Sequence, residues 1–374
     1  MMMREIGKTG KYQGVLGFGC MRLPQNSENT EDINLDKTFE MFDYAVANGV
    51  TYFDTAYGYH GGASEKVVGA YFASRGKGSM SIATKLPVWL VKEPADMERL
   101  FLEQLERLQQ PKVEYYLLHA LNKSTWDNIV AMGGLEFIAK LKEEGRVDYV
   151  GFSFHDEYST FEPIVDAFPW DFCQVQLNYL DTEHQAGMKG MLYARSKGLG
   201  IVIMEPLRGG SIVSNVPEDI MALWGTKSPV TWAFDYLFDM PQVDIALSGM
   251  STLDQVKENI EICSAVQVGK LTAQDHETIV KVASSYRERT RNGCTECAYC
   301  MPCPHGVNIP RAFRLYNTAY RYNQPMDYRN AYKQMPEDQQ ASQCIACGLC
   351  EPKCPQNIAI ISELKAAHKE LTKA

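Results

Sequence analysis

Between residues 15 and 250, eight short apolar runs follow one another with room for a helix between each pair. They are VLGFG at 15, TYFDT at 51, MSIATK at 80, EYYLLH at 114, DYVGFS at 148, FCQVQL at 172, GIVIME at 200 and VDIALSG at 243. Apolar residues between the runs recur at helical spacing, as in Met97, Leu100, Phe101, Leu105 and Leu108. Parallel strands need a crossover, and a helix is the usual one, so the alternation predicts an α/β fold with a parallel sheet. Eight repeats are the number that closes a (β/α)8 TIM barrel. An open, doubly wound sheet is the competing arrangement. A dinucleotide on such a sheet usually needs a G-x-G-x-x-G between an early strand and its helix, and none is present. A barrel uses about 250 residues, so a chain of 374 has room for a second unit. Past residue 285 cysteine and proline become frequent and strand-like runs cease. The expected division is a barrel over 1–284 and a mainly helical domain over 285–374.

Eight of the eleven cysteines fall in two runs of that second segment, Cys294, Cys297, Cys300 and Cys303, then Cys344, Cys347, Cys350 and Cys354. Neighbouring disulfides suit a reducing compartment poorly, so metal ligation is the expectation. Cys20, Cys173 and Cys263 stand apart in apolar surroundings and read as small buried hydrophobes. The second run has the spacing C-x2-C-x2-C-x3-C-P associated with four-iron clusters. This tail resembles a bacterial-type dicluster ferredoxin domain. In such domains three thiolates hold one cube and the fourth ligates the other. The resemblance then implies two 4Fe-4S clusters, one on Cys294, Cys297, Cys300 and Cys354, the other on Cys344, Cys347, Cys350 and Cys303. The first run is one residue shorter between its last two cysteines, which leaves the placement of Cys303 and Cys354 open at this point. A pair of zinc sites, each built from two C-x2-C pairs, is the other reading, and a purely structural role for iron is a third.

In a barrel the chemistry sits at the C-terminal ends of the strands. There the chain offers Asp54 after the second run, Tyr59 five residues on, Lys85 at the end of the third and His119 at the end of the fourth. In these four positions, and in the opening REIGKTGKY and LGFGCMRLP, the sequence resembles the aldo-keto reductases. The resemblance implies Tyr59 as general acid, Lys85 as the ammonium that tunes it, Asp54 as the partner of Lys85 and His119 as the donor orienting a carbonyl oxygen. Tyr57 is the rival to Tyr59, and His60 and His155 fall near the same rim as pocket walls. It also implies a nicotinamide cofactor, NADP(H) or NAD(H), with Ser153 and Gln174 on the amide. The backbone of Leu207, Arg208 and Gly209 would hold the pyrophosphate, and Gly249, Ser251, Gln255 and Asn259 the adenosine phosphate. Phe154 stands where the family has asparagine, and Met204 where it has the stacking aromatic. No arginine occupies the expected 2'-phosphate position, which keeps NAD beside NADP.

A net charge of -9 without a basic cluster excludes a nucleic-acid partner. No stretch approaches the roughly 20 uninterrupted apolar residues of a membrane span, and the start lacks the apolar core of a signal peptide. A cytoplasmic protein is therefore expected. Taken together, the readings imply an iron-sulfur-containing aldo-keto reductase that interconverts an aldehyde or ketone with an alcohol. Its partners would be a small-molecule carbonyl or alcohol and an electron-transfer protein. The alternative is a barrel that binds nicotinamide without turnover, as a redox sensor or docking module.

Overall fold

The computed structural model describes residues 1–214, 216–321 and 325–373. The chain divides into two compact units, Met1–Pro206 with Ala233–Lys270, and Leu207–Trp232 with Leu271–Ala374.

In the first unit a two-stranded antiparallel hairpin, β1 (Met3–Glu5) and β2 (Tyr12–Gly14), precedes the barrel. Each of the eight apolar runs then supplies one barrel strand: β3 (Leu16–Gly19), β4 (Tyr52–Asp54), β5 (Ser81–Leu86), β6 (Val113–Leu121), β7 (Val147–Phe154), β8 (Phe172–Gln176), β9 (Gly200–Met204) and β10 (Ile245–Gly249). All are parallel, and β10 pairs with β3 to close the ring. The open sheet is thereby ruled out.

The hairpin, which the hydrophobic pattern did not announce, closes the floor. Ile6, fully buried, joins Tyr52, Tyr115, Phe172, Val202 and Ile245 in the interior cluster. Burial of such side chains stabilises by about 1.5–3 kcal/mol each. The approach is too close for any larger residue: a Cβ on Gly200 would lie 2.4 Å from Ile6 Cγ2, and one on Gly7, at φ +55°, 2.4 Å from Gly200 N. Gln13 of β2 donates from Nε2 to Ser81 Oγ (2.8 Å) and Tyr115 OH (3.2 Å), so the floor is tied to β5 and β6. The opposite, C-terminal rim is where the strand-end side chains collect.

Helix Pro94–Leu108 shows how pattern becomes packing. Asp96 accepts from the N–H groups of Lys92 and Glu93 at its start. Met97, Leu100, Phe101 and Leu108 are buried as expected, but the fifth buried position is Gln104 rather than Leu105. Gln104 earns that place through hydrogen bonds described below.

The second unit is built of helices Glu218–Trp224, Ala273–Arg289, Ile309–Arg321, Pro325–Lys333 and Ile360–Leu371; among its described residues there is no strand. Arg289 pairs with Asp219 across the first two helices. Its core gathers Val307, Ile309, Phe313, Tyr316, Ile360 and Leu364, with six of the eight clustered cysteines packed against that core.

Candidate active site and candidate metal centre

Three adjacent strands bring the rim residues together. Asp54 ends β4, Lys85 is the penultimate residue of β5, and His119 lies two residues before the end of β6. Tyr59 opens the 3-10 turn Tyr59–Gly62 that follows β4. Lys85 is completely buried, and its Nζ donates to Asp54 Oδ1 (2.5 Å), to the Thr55 carbonyl (2.9 Å) and to Tyr59 OH (3.3 Å). A buried ammonium is costly unless paired and hydrogen-bonded. Here the carboxylate supplies the pairing, and the remaining donors point at a carbonyl and a phenol. The second Asp54 oxygen accepts from Gln174 Nε2 (2.6 Å).

Tyr59, half-buried, faces His119 edge-on with ring centroids 6.0 Å apart. Burial, then the positive charge of Lys85, then His155 hold the His119 imidazole well below the usual histidine range. It is neutral at ordinary pH. Trp89, in the turn after β5, lies against the same imidazole at 5.0 Å and is exposed on its other side. Nothing in its local sequence marked it.

The two tyrosines separate cleanly. Tyr57 donates to Glu103 Oε2 (2.8 Å) and lies under the Arg107 guanidinium, engaged with helix Pro94–Leu108. His60 accepts from Leu23 N–H at Nε2 (3.1 Å), and its Nδ1 meets the Thr30 carbonyl (2.8 Å), so its ring pins the 23–30 loop. His155, half-buried, contacts Gln185 Oε1 (3.2 Å) and is depressed to about 4, chiefly by desolvation.

Behind Lys85 lies a polar knot that sequence reasoning missed. The fully buried Glu65 accepts from Thr84 Oγ1 (2.6 Å) and Gln104 Nε2 (2.7 Å), with Arg107 at 3.2 Å. Gln104 also donates to the Lys85 carbonyl (3.0 Å) and accepts from Tyr116 OH (2.8 Å). The lysine backbone is therefore held from one side and its ammonium from the other. A glutamate within an apolar helical stretch was the available signal.

Of the residues expected to meet a nucleotide, Ser153 and Gln174 sit side by side on β7 and β8 as register partners, both fully buried. Ser153 Oγ accepts from Ala120 N–H (2.7 Å). Gln174 Oε1 has no hydrogen-bond partner. At the end of β10, Gly249 passes against Arg22, whose methylenes would lie 3.2–3.3 Å from a Cβ there. Ser251 donates through Oγ to the Arg22 carbonyl (2.6 Å) and through its N–H to Gln255 Oε1 (2.8 Å), while Asn259 donates to Ser248 Oγ (2.9 Å). Leu207, Arg208 and Gly209 belong to the second unit, where Arg208 and Gly209 have φ of 50° and 64°.

In that second unit the two cysteine runs wind alike. Positive φ occurs at Glu296 and Ala298 of the first and at Ala346 and Gly348 of the second, two and four residues after the leading cysteine in both. It returns at Gly306 and Asn357, three residues after Cys303 and Cys354. The one-residue difference in spacing is thus absorbed between the third and fourth cysteines, and the winding resumes in register. Non-glycine residues held in this region are uncommon and gather at ligand clamps. Each run then delivers two apolar residues to the shared core, Val307 and Ile309 after Cys303, Ile358 and Ile360 after Cys354.

The cysteines line two cavities. One is walled by Cys294, Cys297, Cys300 and Cys354, the other by Cys303, Cys344, Cys347 and Cys350, with Cys300 reaching both. Burial foremost, with help from the Cys297 and Cys354 thiolates, pushes Cys294 up to about 12, and Glu296 N–H donates to its sulfur (3.4 Å). Among the described residues no three His, Cys, Asp or Glu side chains converge as they would on a single ion. Four thiols spread around a cavity, twice, suit a multi-iron cube better than a tetrahedral zinc.

A parallel eight-stranded barrel with an acid, a phenol, an amine and an imidazole on one rim, joined to a cysteine-rich helical unit, defines an oxidoreductase-type barrel with an iron-sulfur module. Residues 15–223 match the aldo/keto reductase family, and residues 293–359 match a 4Fe-4S dicluster domain. The chain belongs to the aldo/keto reductase family and carries a C-terminal 4Fe-4S dicluster domain. It is 30% identical over 227 residues to an uncharacterized oxidoreductase of Bacillus subtilis, YrpG, across 55% of this chain and just under two thirds (66%) of that protein. It is 25% identical over 307 residues to L-galactose dehydrogenase of Arabidopsis thaliana, across 75% of this chain and 92% of that one. A solved aldo-keto reductase of Bacillus halodurans in its holo form superposes with a TM-score of 0.63 at 23% identity, over 75% of this chain and 96% of the other, which shows the shared fold. No helix among the described residues is long and apolar enough to cross a membrane.

Proposed function

We propose that this chain interconverts an aldehyde or ketone with its alcohol using a nicotinamide cofactor, while its second unit carries two four-iron clusters that exchange electrons one at a time. The observation that carries the reading is the buried Lys85 Nζ, bonded to Asp54 and within 3.3 Å of the Tyr59 hydroxyl. When a carbonyl is reduced, its oxygen must be protonated as negative charge develops. Tyr59 gives that proton, and the ammonium beside it stabilises the phenolate left behind. Asp54 keeps Lys85 in place through the contact with its Nζ. His119, held neutral by burial, donates a ring N–H to the carbonyl oxygen without bringing a competing cation.

Bound nicotinamide supplies the hydride. The Ser153 hydroxyl, whose own hydrogen has no acceptor among its hydrogen bonds, and Gln174 Oε1 together match the acceptor and donor ends of a carboxamide. Leu207, Arg208 and Gly209 form a bend whose N–H groups suit a pyrophosphate. Gly249, Ser251, Gln255 and Asn259 hold the adenosine end, as NADP or NAD. In the second unit the cavity linings support the crossed arrangement, with Cys294, Cys297, Cys300 and Cys354 on one cube and Cys303, Cys344, Cys347 and Cys350 on the other. Each cube passes one electron and a hydride carries two, so exchange between the clusters and the carbonyl chemistry requires a further group that collects or splits the pair, for which a flavin is the usual device. A reducing compartment such as the cytoplasm suits these thiolates.

Anaerobically purified protein should contain iron and sulfide for two cubes, and should oxidise NADPH or NADH in the presence of an aldehyde panel. Tyr59→Phe should abolish that oxidation. Tight nucleotide binding with no turnover on any carbonyl would instead favour the sensor. Reduced clusters that leave bound nucleotide and substrate unchanged would remove the electron exchange alone.

A further inference from the structure

The two cysteine cavities differ in how they meet solvent. The cavity of Cys294, Cys297, Cys300 and Cys354 is backed by Ile309, Phe313, Ile358 and Ile360, and none of its thiols is exposed. The other has the one exposed thiol of the eight, Cys347, and on either side of it stand Ile345 and Leu349, 63% and 58% exposed. Pro302 and Pro304, both exposed, continue the same lining. From Ser342 to Cys350 no residue carries a charge. Bulky aliphatic side chains at such exposure are ordinary when scattered; here they flank a thiol that lines the cavity.

We propose that Ile345, Leu349 and the two prolines form the docking surface for a small one-electron carrier protein whose redox group lies at its own surface. The proposal rests on the reading that these cysteines hold an iron-sulfur cluster. In the step it serves, one electron leaves the carrier, which is oxidised by one, and enters the cluster, which is reduced by one; no bond forms or breaks. The carrier is favoured over a second copy of this chain by size. A handful of side chains falls far short of the roughly 20–30 residues a side of a stable interface, and matches the low end occupied by transient redox encounters. Lys353 and His305, both exposed, complete the lining away from the uncharged run 342–350, and that run favours a partner that presents apolar surface around its redox group, since carboxylates or ammoniums set against it would be desolvated without pairing. The cluster with no exposed thiol is then the inner member of the pair.

The test uses full-length, anaerobically purified holoprotein, with Ile345→Glu, Leu349→Glu and the double variant, and Ile345→Val/Leu349→Met as the conservative control. Iron, sulfide and the electron paramagnetic resonance signal of the reduced clusters establish that the cubes are intact. Stopped-flow mixing then measures reduction by a small dicluster ferredoxin, itself pre-reduced, and separately by dithionite, which needs no docking surface. We expect the second-order rate with ferredoxin to fall at least about tenfold in the double variant and to hold in the conservative one, with the dithionite rate within about twofold. A ferredoxin rate unaffected by the double substitution would overturn the proposal, as would equal losses with both reductants. Dimerisation of the wild-type chain that vanishes in the double variant would reassign the patch to a second copy. Absence of iron and sulfide from the wild-type protein would overturn the cluster reading, and this proposal with it; failure of the carbonyl assay alone would leave the electron-entry result standing.

Discussion

Replacing Lys85 with methionine tests structure and chemistry in one substitution. Methionine preserves most of the side-chain length but removes the three donors that reach Asp54, the Thr55 carbonyl and Tyr59. Asp54, 3% exposed, is then left with Gln174 Nε2 as the hydrogen-bond donor to its carboxylate. Stranding one member of a buried ion pair costs about 3–5 kcal/mol. At roughly 2–4 °C per kcal/mol for a unit of this size, the melting temperature should drop by on the order of 10 °C. In the double variant Lys85→Met/Asp54→Asn no charge is stranded, and most of that loss should return. Turnover should not return with it, because neither protein has an ammonium beside Tyr59; both should fall by about 10²–10⁴ in kcat, the range of general acid–base assistance. Calorimetry and steady-state NAD(P)H oxidation on the three proteins give both answers. A single variant as stable as the double would show that the pair is not coupled as drawn, and activity within about threefold of wild type would refute Lys85 as the group that tunes the acid.

Tyr59→Phe should eliminate carbonyl turnover while leaving nucleotide binding within about threefold, whereas Tyr57→Phe, which loses its bond to Glu103, should retain activity; fluorescence titration beside steady-state kinetics separates the two. His155 is depressed to about 4 in the folded chain against about 6.5 unfolded, so the unfolded state binds more protons between those values and stability falls as pH drops through that window. From pH 7 to pH 5 the loss attributable to His155 is about 2 kcal/mol, and His155→Gln should flatten the drop in melting temperature over that interval; an equally steep drop in the variant would refute the assignment. Cys354→Ser should disturb the cube on Cys294, Cys297 and Cys300, and Cys303→Ser the one on Cys344, Cys347 and Cys350. Iron counts, with paramagnetic resonance of each variant, would contradict the crossed arrangement if Cys354→Ser altered only the second cube.

What could be read in advance was whatever repeats or is spaced along the chain. Each of the eight apolar runs became a barrel strand, because a strand buried on both faces must be apolar throughout and its neighbour must lie one helix away. Asp54, Lys85 and His119 were legible for the same reason: a strand end on a closed barrel has one destination, the rim. Contacts between segments far apart in sequence were not legible. Whether Tyr57 or Tyr59 faced Lys85 turned on which phenol Glu103 and Arg107 captured from helix Pro94–Leu108. Spacing favoured Tyr59, but no periodicity encodes that capture. Gln104 took a position that apolar patterning assigned to Leu105, since its amide satisfies Glu65, the Lys85 carbonyl and Tyr116 together. A buried polar residue is favourable only when its partners are already in place, so its burial follows from the fold and cannot be inferred before it. The cysteine runs show the converse. Their one-residue mismatch looked like a departure that unsettled the ligand pairing, yet the backbone confines it to the stretch between the third and fourth cysteines, with the left-handed residues before and after it in register. Local spacing therefore specified how each loop winds, while the assignment of Cys303 and Cys354 to opposite cavities required the packing of Val307, Ile309, Ile358 and Ile360 into one core.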